Sequence, residues 1–316
     1  MDLQLTDTCR WCGGGPLLSK GSLVRKDPES EGLDISVWPL KRCAACGSWQ
    51  VNPHPGPEAS RRFFRSPDRW LSGLDPDKKI ISPVERAERR KEEYAVYAAA
   101  MAAMMPESGA ILDVGAGTGL MLSLINAPNR KIAVEPNEMA AQRAADRGLA
   151  VLREWAEDLP APDKPLAALI MNQTLDHLPR PDIFLFKAMT WLSPGGLLLL
   201  GGLINPSSLA ARIYGLDFRL LHPFHQVYPT PFAVKMVLAS MGFELLSTWR
   251  PYFGTPYGSI PQFLQASAAM ALKLLRVRSG GPSPAYPGNT VTYLARKIVL
   301  YKPLKVPEAA QGSIAC

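Results

Sequence analysis

Asp113-Val-Gly115-Ala-Gly117-Thr-Gly119 follows the apolar Ala110-Ile111-Leu112 and precedes the apolar-periodic run Leu120 to Ile125. The order predicts strand, glycine turn and helix, and such glycines let backbone approach a ligand at the carboxyl end of a parallel strand. A nucleotide-like cofactor suits that turn. A dinucleotide fingerprint G-x-G-x-x-G starting at Gly115 requires glycine at position 120, where this chain has Leu120. Lys131-Ile-Ala-Val-Glu135 predicts a second short strand ending in a carboxylate about 20 residues beyond Gly115, placed to accept both hydroxyl hydrogens of a ribose. The alternative is an ordinary βα turn with a solvated Glu135.

Four of the five cysteines form Cys9-x-x-Cys12 and Cys43-x-x-Cys46, followed by Gly13 and Gly47. Each pair can set two thiolates on one knuckle turn, and two knuckles complete a closed, tetrahedral Zn²⁺ site. A redox C-x-x-C would open a helix in a thioredoxin-like βαβ pattern, which is absent. Four protein ligands leave no position for an activated water, so the predicted zinc is structural. His54 reads as a turn residue beside this site, and the terminal Cys316 completes no motif.

These residues need a scaffold. At 316 residues with 47% hydrophobic content, the chain can build a sizeable core. The apolar run Leu197 to Ile204 is far short of the roughly 20 residues of a membrane span, and residues 1–10 lack a secretory pattern, which predicts a cytoplasmic protein. The formal charge of +7 permits an anionic partner without selecting one. The run Glu85 to Glu93 alternates signs and reads as a solvated helix face rather than a nucleic-acid stripe. After Glu135 come a helix to Arg147, a strand Ala150-Val-Leu152, an apolar strand Leu166 to Asn172, and a turn at Ser193 to Gly196 before the strand Leu197 to Leu200. Strand and helix alternating five times demand a parallel sheet with helices on both faces. Gly242 to Trp249 and Asn289 to Arg296 supply the sixth and seventh strands, and Ala87 to Met105 a helix leading into the sheet.

The D-x-G-x-G-x-G turn with Glu135 resembles the class I S-adenosylmethionine (SAM) dependent methyltransferases. Arg42 to Pro55, with its second knuckle and Asn-Pro-x-Pro run, resembles the zinc ribbon that opens many bacterial methyltransferases of surface-sugar and natural-product pathways. The resemblance implies a Rossmann-like seven-stranded, mostly parallel sheet whose last strand is antiparallel, plus a small N-terminal zinc ribbon. It divides the chain into a ribbon at 1–58 and a methyltransferase domain at 59–316, with a substrate cap at about 204–288. It further implies cofactor contacts at Asp113, Gly115, Gly117, Gly119, Glu135, Pro136 and Asn172. In the family's Asp-Ala-Glu-x-Leu-Pro segment this chain has Trp155-Ala156-Glu157-Asp158-Leu159-Pro160, so Trp155 would stack on adenine while Ala156 or Glu157 supplies polarity. Tyr94 or Tyr97 would close the pocket.

Asn172 to Leu178 resembles the family's acidic-His step at Asp176-His177, and lacks the Asn-Pro-Pro-Tyr of enzymes that methylate adenine N6. His177 is either a base or a loop-orienting residue. His222 to Pro231 resembles the His-x-x-Tyr-Phe-Thr-Pro segment bordering the substrate pocket, with His225 and Tyr228 on its His and Tyr. His225 is the leading base and Tyr228 the fallback; the other reading of His225 is a helix-start anchor. Leu264, Ala268, Ala271, Leu272 and Leu275 share one face of a helix at 260–277, with Lys273, Arg276 and Arg278 nearby. That helix is expected to be packed in the cap rather than lying on a membrane.

The resulting expectation is methyl transfer to a small-molecule acceptor, a sugar, natural product or lipid-linked precursor, with an anionic acceptor and peripheral membrane contact left open. Alternatives are an RNA methyltransferase docking through ribbon aromatics Trp11, Trp38 and Trp49, and a non-catalytic SAM-fold scaffold.

Overall fold

Continuous apolar runs set the centre of the fold. The structure, a computed structural model, describes residues 2–24, 35–65, 73–74, 80–81, 83–256, 258–277 and 281–298. Tyr257, Arg278 and Cys316 lie outside the described residues. At the front, β1 (Leu17–Val24), β2 (Val37–Cys43) and β3 (Trp49–Val51) form an antiparallel ladder. The short helix α1 (Pro57–Arg65) follows, and α2 (Lys91–Met104) leads into the main sheet.

That sheet contains β4 (Ile111–Val114), β5 (Lys131–Val134), β6 (Ala150–Leu152), β7 (Leu166–Asn172), β8 (Leu192–Ile204), β10 (Phe243–Trp249) and β11 (Thr290–Lys297), while β9 (Val227–Tyr228) lies between β8 and β10 in sequence. The spatial order is β6-β5-β4-β7-β8-β11-β10, and only β11 runs against its neighbours. This is the expected seven-stranded, mostly parallel architecture. Strand alternation sends side chains to opposite faces. Leu169 and Met171 pack with Phe184, Leu185 and Val234 on one face, while Ala168 and Ile170 pack with Tyr97, Met101 and Leu122 on the other.

Four helices complete the parts that position the site. They are α3 (Leu120–Ser123), α4 (Glu138–Asp146), α5 (Pro181–Trp191) and α6 (Leu209–Tyr214). Asn137 caps α4 by accepting from the Met139 and Ala140 N–H groups. Further on, Thr230 caps α7 (Pro231–Ser240) by accepting from the Ala233 N–H, and a Ser259–Gln262 capping box starts α8 (Ile260–Leu274).

Several expectations are corrected. The helix expected from Ala87 is broken in two: Ala87 belongs to a separate short helix, Pro83–Glu88, and the long helix begins at Lys91 because Arg90 adopts a non-helical ψ of 7°. The turn at 193–196 is an irregularity inside β8: Leu192 already pairs with Leu166, and the register shifts before Leu197. The helix after the glycine turn is one turn long. The last cap helix stops at Leu274 because Arg276 takes a left-handed φ of 58°, with the Val277 N–H bonded back to the Leu272 carbonyl. The stretch 204–288 is not one unit, since β9 joins the front ladder beside β3 while α7 and β10 pack on and extend the main sheet. The apolar face of α8 is not packed inward: Ala266 and Met270 are buried, and Leu264 and Leu275 are exposed.

Candidate functional site

Gly115, Gly117 and Gly119 have φ of 73°, 54° and 73°, the left-handed region that a Cβ penalises. Their uses differ. A Cβ at Gly115 would overlap the Thr174 hydroxyl, so glycine there lets the loop after β7 close on the turn. A Cβ at Gly117 would meet nothing within 4 Å, leaving backbone open to a ligand. Gly119 packs against Ala144 of α4 and lines neither cavity described below, so its role is in the turn itself.

Glu135 follows β5 and is clamped from both sides. Its Oε2 accepts from the Gly117 N–H at 2.8 Å and its Oε1 from the Asn137 N–H at 2.9 Å. A carboxylate oxygen has two lone-pair sites, so each retains one for a hydroxyl donor. Burial pushes the Glu135 carboxyl up, and these two N–H groups pull it back. Asp113, at the end of β4, is pushed up to about 8 by burial and by the neighbouring Glu135 charge. Its Oδ1 has no hydrogen-bond partner among the described residues, an arrangement suited to a cationic ligand donor.

Two cavities meet at this turn. One, of about 420 Å³, is walled by Glu135, Pro136, Trp155, Ala156, Glu157 and His177. The other, of about 530 Å³, is walled by Asp113, Gly117, Tyr94, Asn172, Asp176 and His225. Phe64, Gly115 and Gln173 belong to both walls, so the cavities are neighbours across the glycine turn. The smaller is lined by the Glu135 carboxylate and the Trp155 indole, and the guanidinium groups of Arg61 and Arg65 lie 5.7 and 5.4 Å from the Trp155 ring. Among the residues lining the larger, the Tyr252 hydroxyl and Asn289 Oδ1 join Asp113 Oδ1, Asn172 Oδ1 and Asp176 Oδ1 as polar atoms without partners among the described residues.

The loop after β7 brings Asp176, His177 and His225 together. His225 Nδ1 lies 2.9 Å from Asp176 Oδ2, and His177 Nδ1 lies 2.7 Å from the Phe224 carbonyl oxygen. The two imidazoles lie with centroids 4.2 Å apart, their planes tilted by 31°. Burial raises the Asp176 carboxyl, but the adjacent His177 and His225 outweigh it and hold that carboxyl below its usual range. Burial and the nearby His225 push His177 down to about 4, which keeps it neutral at pH 7.

Tyr228 is not at the site. Its hydroxyl donates to the His222 carbonyl at 2.7 Å and accepts from the His222 N–H at 2.8 Å; the ring is fully buried and lines neither cavity. Tyr94 lines the larger cavity, whereas Tyr97 is buried and donates to Glu93. Phe64, Arg61, Tyr252 and Asn289 carried no motif in the sequence. Gln173 lies within the Asn172–Leu178 stretch but had no role there; in the structure its φ of 58°, unusual for a side-chain-bearing residue, marks the loop where the cavities meet.

At the front of the molecule the four paired cysteines cluster, with all Sγ atoms within 4.8 Å of one another. Cys9 and Cys46 Sγ are 3.8 Å apart, as are Cys12 and Cys43. A tetrahedron with metal–sulfur bonds of about 2.3 Å has edges of about 3.8 Å, so the residues fit Zn²⁺. Gly13 and Gly47 take φ of 72° and 73°, and their N–H groups bond back to the Cys9 and Cys43 carbonyls, which closes both knuckles. His54 is outside the cluster, with Nδ1 against the Pro55 carbonyl.

The family described as "Methyltransferase domain" matches residues 86–248, about half of the chain and the whole region of both carboxylates and the His225 loop. The chain belongs to this family and is a SAM-dependent methyltransferase. No curated protein matches it. Among solved structures it is similar to magnesium protoporphyrin IX methyltransferase from Synechocystis PCC 6803 with bound SAH, at 13% identity and a TM-score of 0.50, covering 77% of this chain and 100% of that one. A SAM-dependent methyltransferase from Thermotoga maritima is 22% identical at a TM-score of 0.46, covering 68% and 96%. At 13% identity the likeness to the Synechocystis enzyme is one of fold alone.

Proposed function

We propose that this enzyme methylates a hydroxylated small molecule, a sugar or natural-product precursor, held in the cavity of about 530 Å³, with His225 as the general base. The carrying observation is the 2.9 Å contact between His225 Nδ1 and Asp176 Oδ2 in the wall of that cavity. A carboxylate at Nδ1 fixes the proton there and leaves Nε2 as the basic nitrogen. Asp176 then stabilises the imidazolium formed when His225 takes the proton of an acceptor hydroxyl, and Tyr252 and Asn289 offer hydrogen bonds to its other polar groups. The dyad supports the base reading over the helix-start anchor, because Thr230 itself caps α7.

The same proposal assigns the smaller cavity to the adenosyl part of SAM, with Glu135 on the ribose, Trp155 on the adenine face, and Pro136, Ala156 and Glu157 around it. Asp113, Gly115, Gly117 and Asn172 would hold the methionyl part, and Gly119 would set the turn. SAM, when bound, supplies the methyl group as an electrophile. The chain's own residues supply orientation of the two partners, exclusion of water and the proton acceptor. His177 fits a positioning role, since it is neutral and tied to the Phe224 carbonyl.

Residues 1–58 would form a ribbon on structural Zn²⁺ held by Cys9, Cys12, Cys43 and Cys46, and 59–316 the methyltransferase domain. Four unpaired cysteines suit a reducing, cytoplasmic setting. RNA docking through the ribbon is disfavoured because Trp11, Trp38 and Trp49 are all buried and offer no stacking face. The test is transfer of labelled methyl from SAM to a panel of hydroxylated sugars and natural-product intermediates. Labelling that depends on His225 supports the reading, and labelling of RNA alone overturns it.

A further inference from the structure

α8 turns its apolar stripe outward. Ile260, Leu264 and Leu275 are 68%, 62% and 72% exposed, and Ala268, Ala271 and Leu272 lie between them on the same face. The opposite face is seated on the protein: Ala266 and Met270 are buried, and the Tyr214 hydroxyl reaches the Ala269 carbonyl. The helix is therefore anchored, and its exposed face is apolar apart from Gln265 at its edge. Phe253, 60% exposed, extends the stripe past the helix start.

Charge selects the occupant. Between Glu244 and Glu308 the sequence has eight basic residues and no acidic one, while the rest of the chain holds 27 basic against 28 acidic residues. The net charge of +7 thus resides in the segment that carries α8. Arg276 is exposed at the end of the helix, and Lys273 lies near it in contact with Asp217. An apolar stripe that ends at the exposed Arg276, in a stretch of sequence with no acidic residue, matches an anionic bilayer, where apolar side chains enter the acyl boundary and basic groups meet the headgroups. A second copy of this chain would bring the same positive segment against itself. The start of the helix adjoins the larger cavity: the exposed Phe253 packs on Tyr252 with ring centroids 5.1 Å apart, the half-buried Phe263 stacks on Tyr286 at 5.4 Å, and both tyrosines line the cavity.

We propose that the outer face of α8 docks this enzyme on an anionic lipid surface, with the mouth of the larger cavity beside the membrane. Docking stands independently of which acceptor the cavity takes. It is tested by co-sedimentation of the full chain with vesicles of phosphatidylcholine alone and of phosphatidylcholine with phosphatidylglycerol, for the unaltered protein and for Leu264→Glu/Leu275→Glu. Both positions are exposed and outside both cavities, so unchanged thermal unfolding and SAM binding identify a folded variant. The expected result is sedimentation with anionic vesicles that falls on the order of tenfold or more in the variant and weakens with salt. Absence of vesicle binding at low salt, equal binding to neutral vesicles, or a dimer in light scattering that the variant dissolves would overturn the proposal.

Discussion

Asp176 Oδ2 and His225 Nδ1 stand 2.9 Å apart although 49 residues separate them in the chain, and the carboxylate is almost wholly buried while the imidazole reaches the larger cavity. Burying a charge without a partner is costly, so the pairing both offsets the cost of Asp176 and fixes the His225 ring. Replacing His225 with Ala is expected to slow single-turnover methyl transfer by a factor on the order of 10²–10⁴ and to leave SAM affinity nearly unchanged. Asp176→Asn should also slow transfer, through loss of the fixed tautomer. A normal rate in the His225 variant rejects the base; a slow rate accompanied by a large loss of thermal stability points to an anchor.

Glu135→Ala should weaken SAM binding by about 1–3 kcal/mol, because the ribose loses its acceptor and the Gly117 and Asn137 N–H groups lose theirs. Calorimetry on the folded variant decides. Affinity within error of the unaltered enzyme would remove Glu135 from the ribose site.

One zinc ion per chain is expected, lost in Cys43→Ser, with a lower unfolding temperature and little change in the rate of the remaining folded enzyme. Elemental analysis and calorimetric melting are the measurements. Metal-free purified protein with the same melting temperature would contradict the assignment.

The Asp113 carboxyl, near 8 in the folded chain against about 3.9 unfolded, binds a proton more tightly when folded. Its contribution to stability is therefore fully present below about pH 4 and is lost as pH rises through about 8. Asp113→Asn should raise the ligand-free melting temperature relative to the unaltered protein at pH 8–9, with the difference vanishing near pH 4, while SAM affinity drops. A pH-independent difference would show that Asp113 does not titrate in this range.

Local patterns made much of this legible in the sequence. The glycine turn, Glu135 and the strand alternation depend on residue types at short spacing, and they appear where spacing placed them. Direction and long-range contact were not legible. Periodicity groups Leu264 with Leu275 on one face of α8, but only the packing of Ala266 and Met270 shows that this face points outward. Phe64 reaches both cavities from α1, about fifty residues before the turn it overlies, and no pattern in α1 announces it. The sequence offers Tyr228 as a fallback base to His225, yet its position in β9 buries it against the His222 backbone.

The most direct test of the account is a crystal structure with S-adenosylhomocysteine. Adenosine against Trp155 and Glu135, with the sulfur at the Gly115–Gln173 junction and directed into the cavity of His225, is the predicted result. A sulfur directed away from that cavity, with His225 separated from it by intervening protein, would contradict the central claim that methyl transfer occurs beside the Asp176–His225 pair.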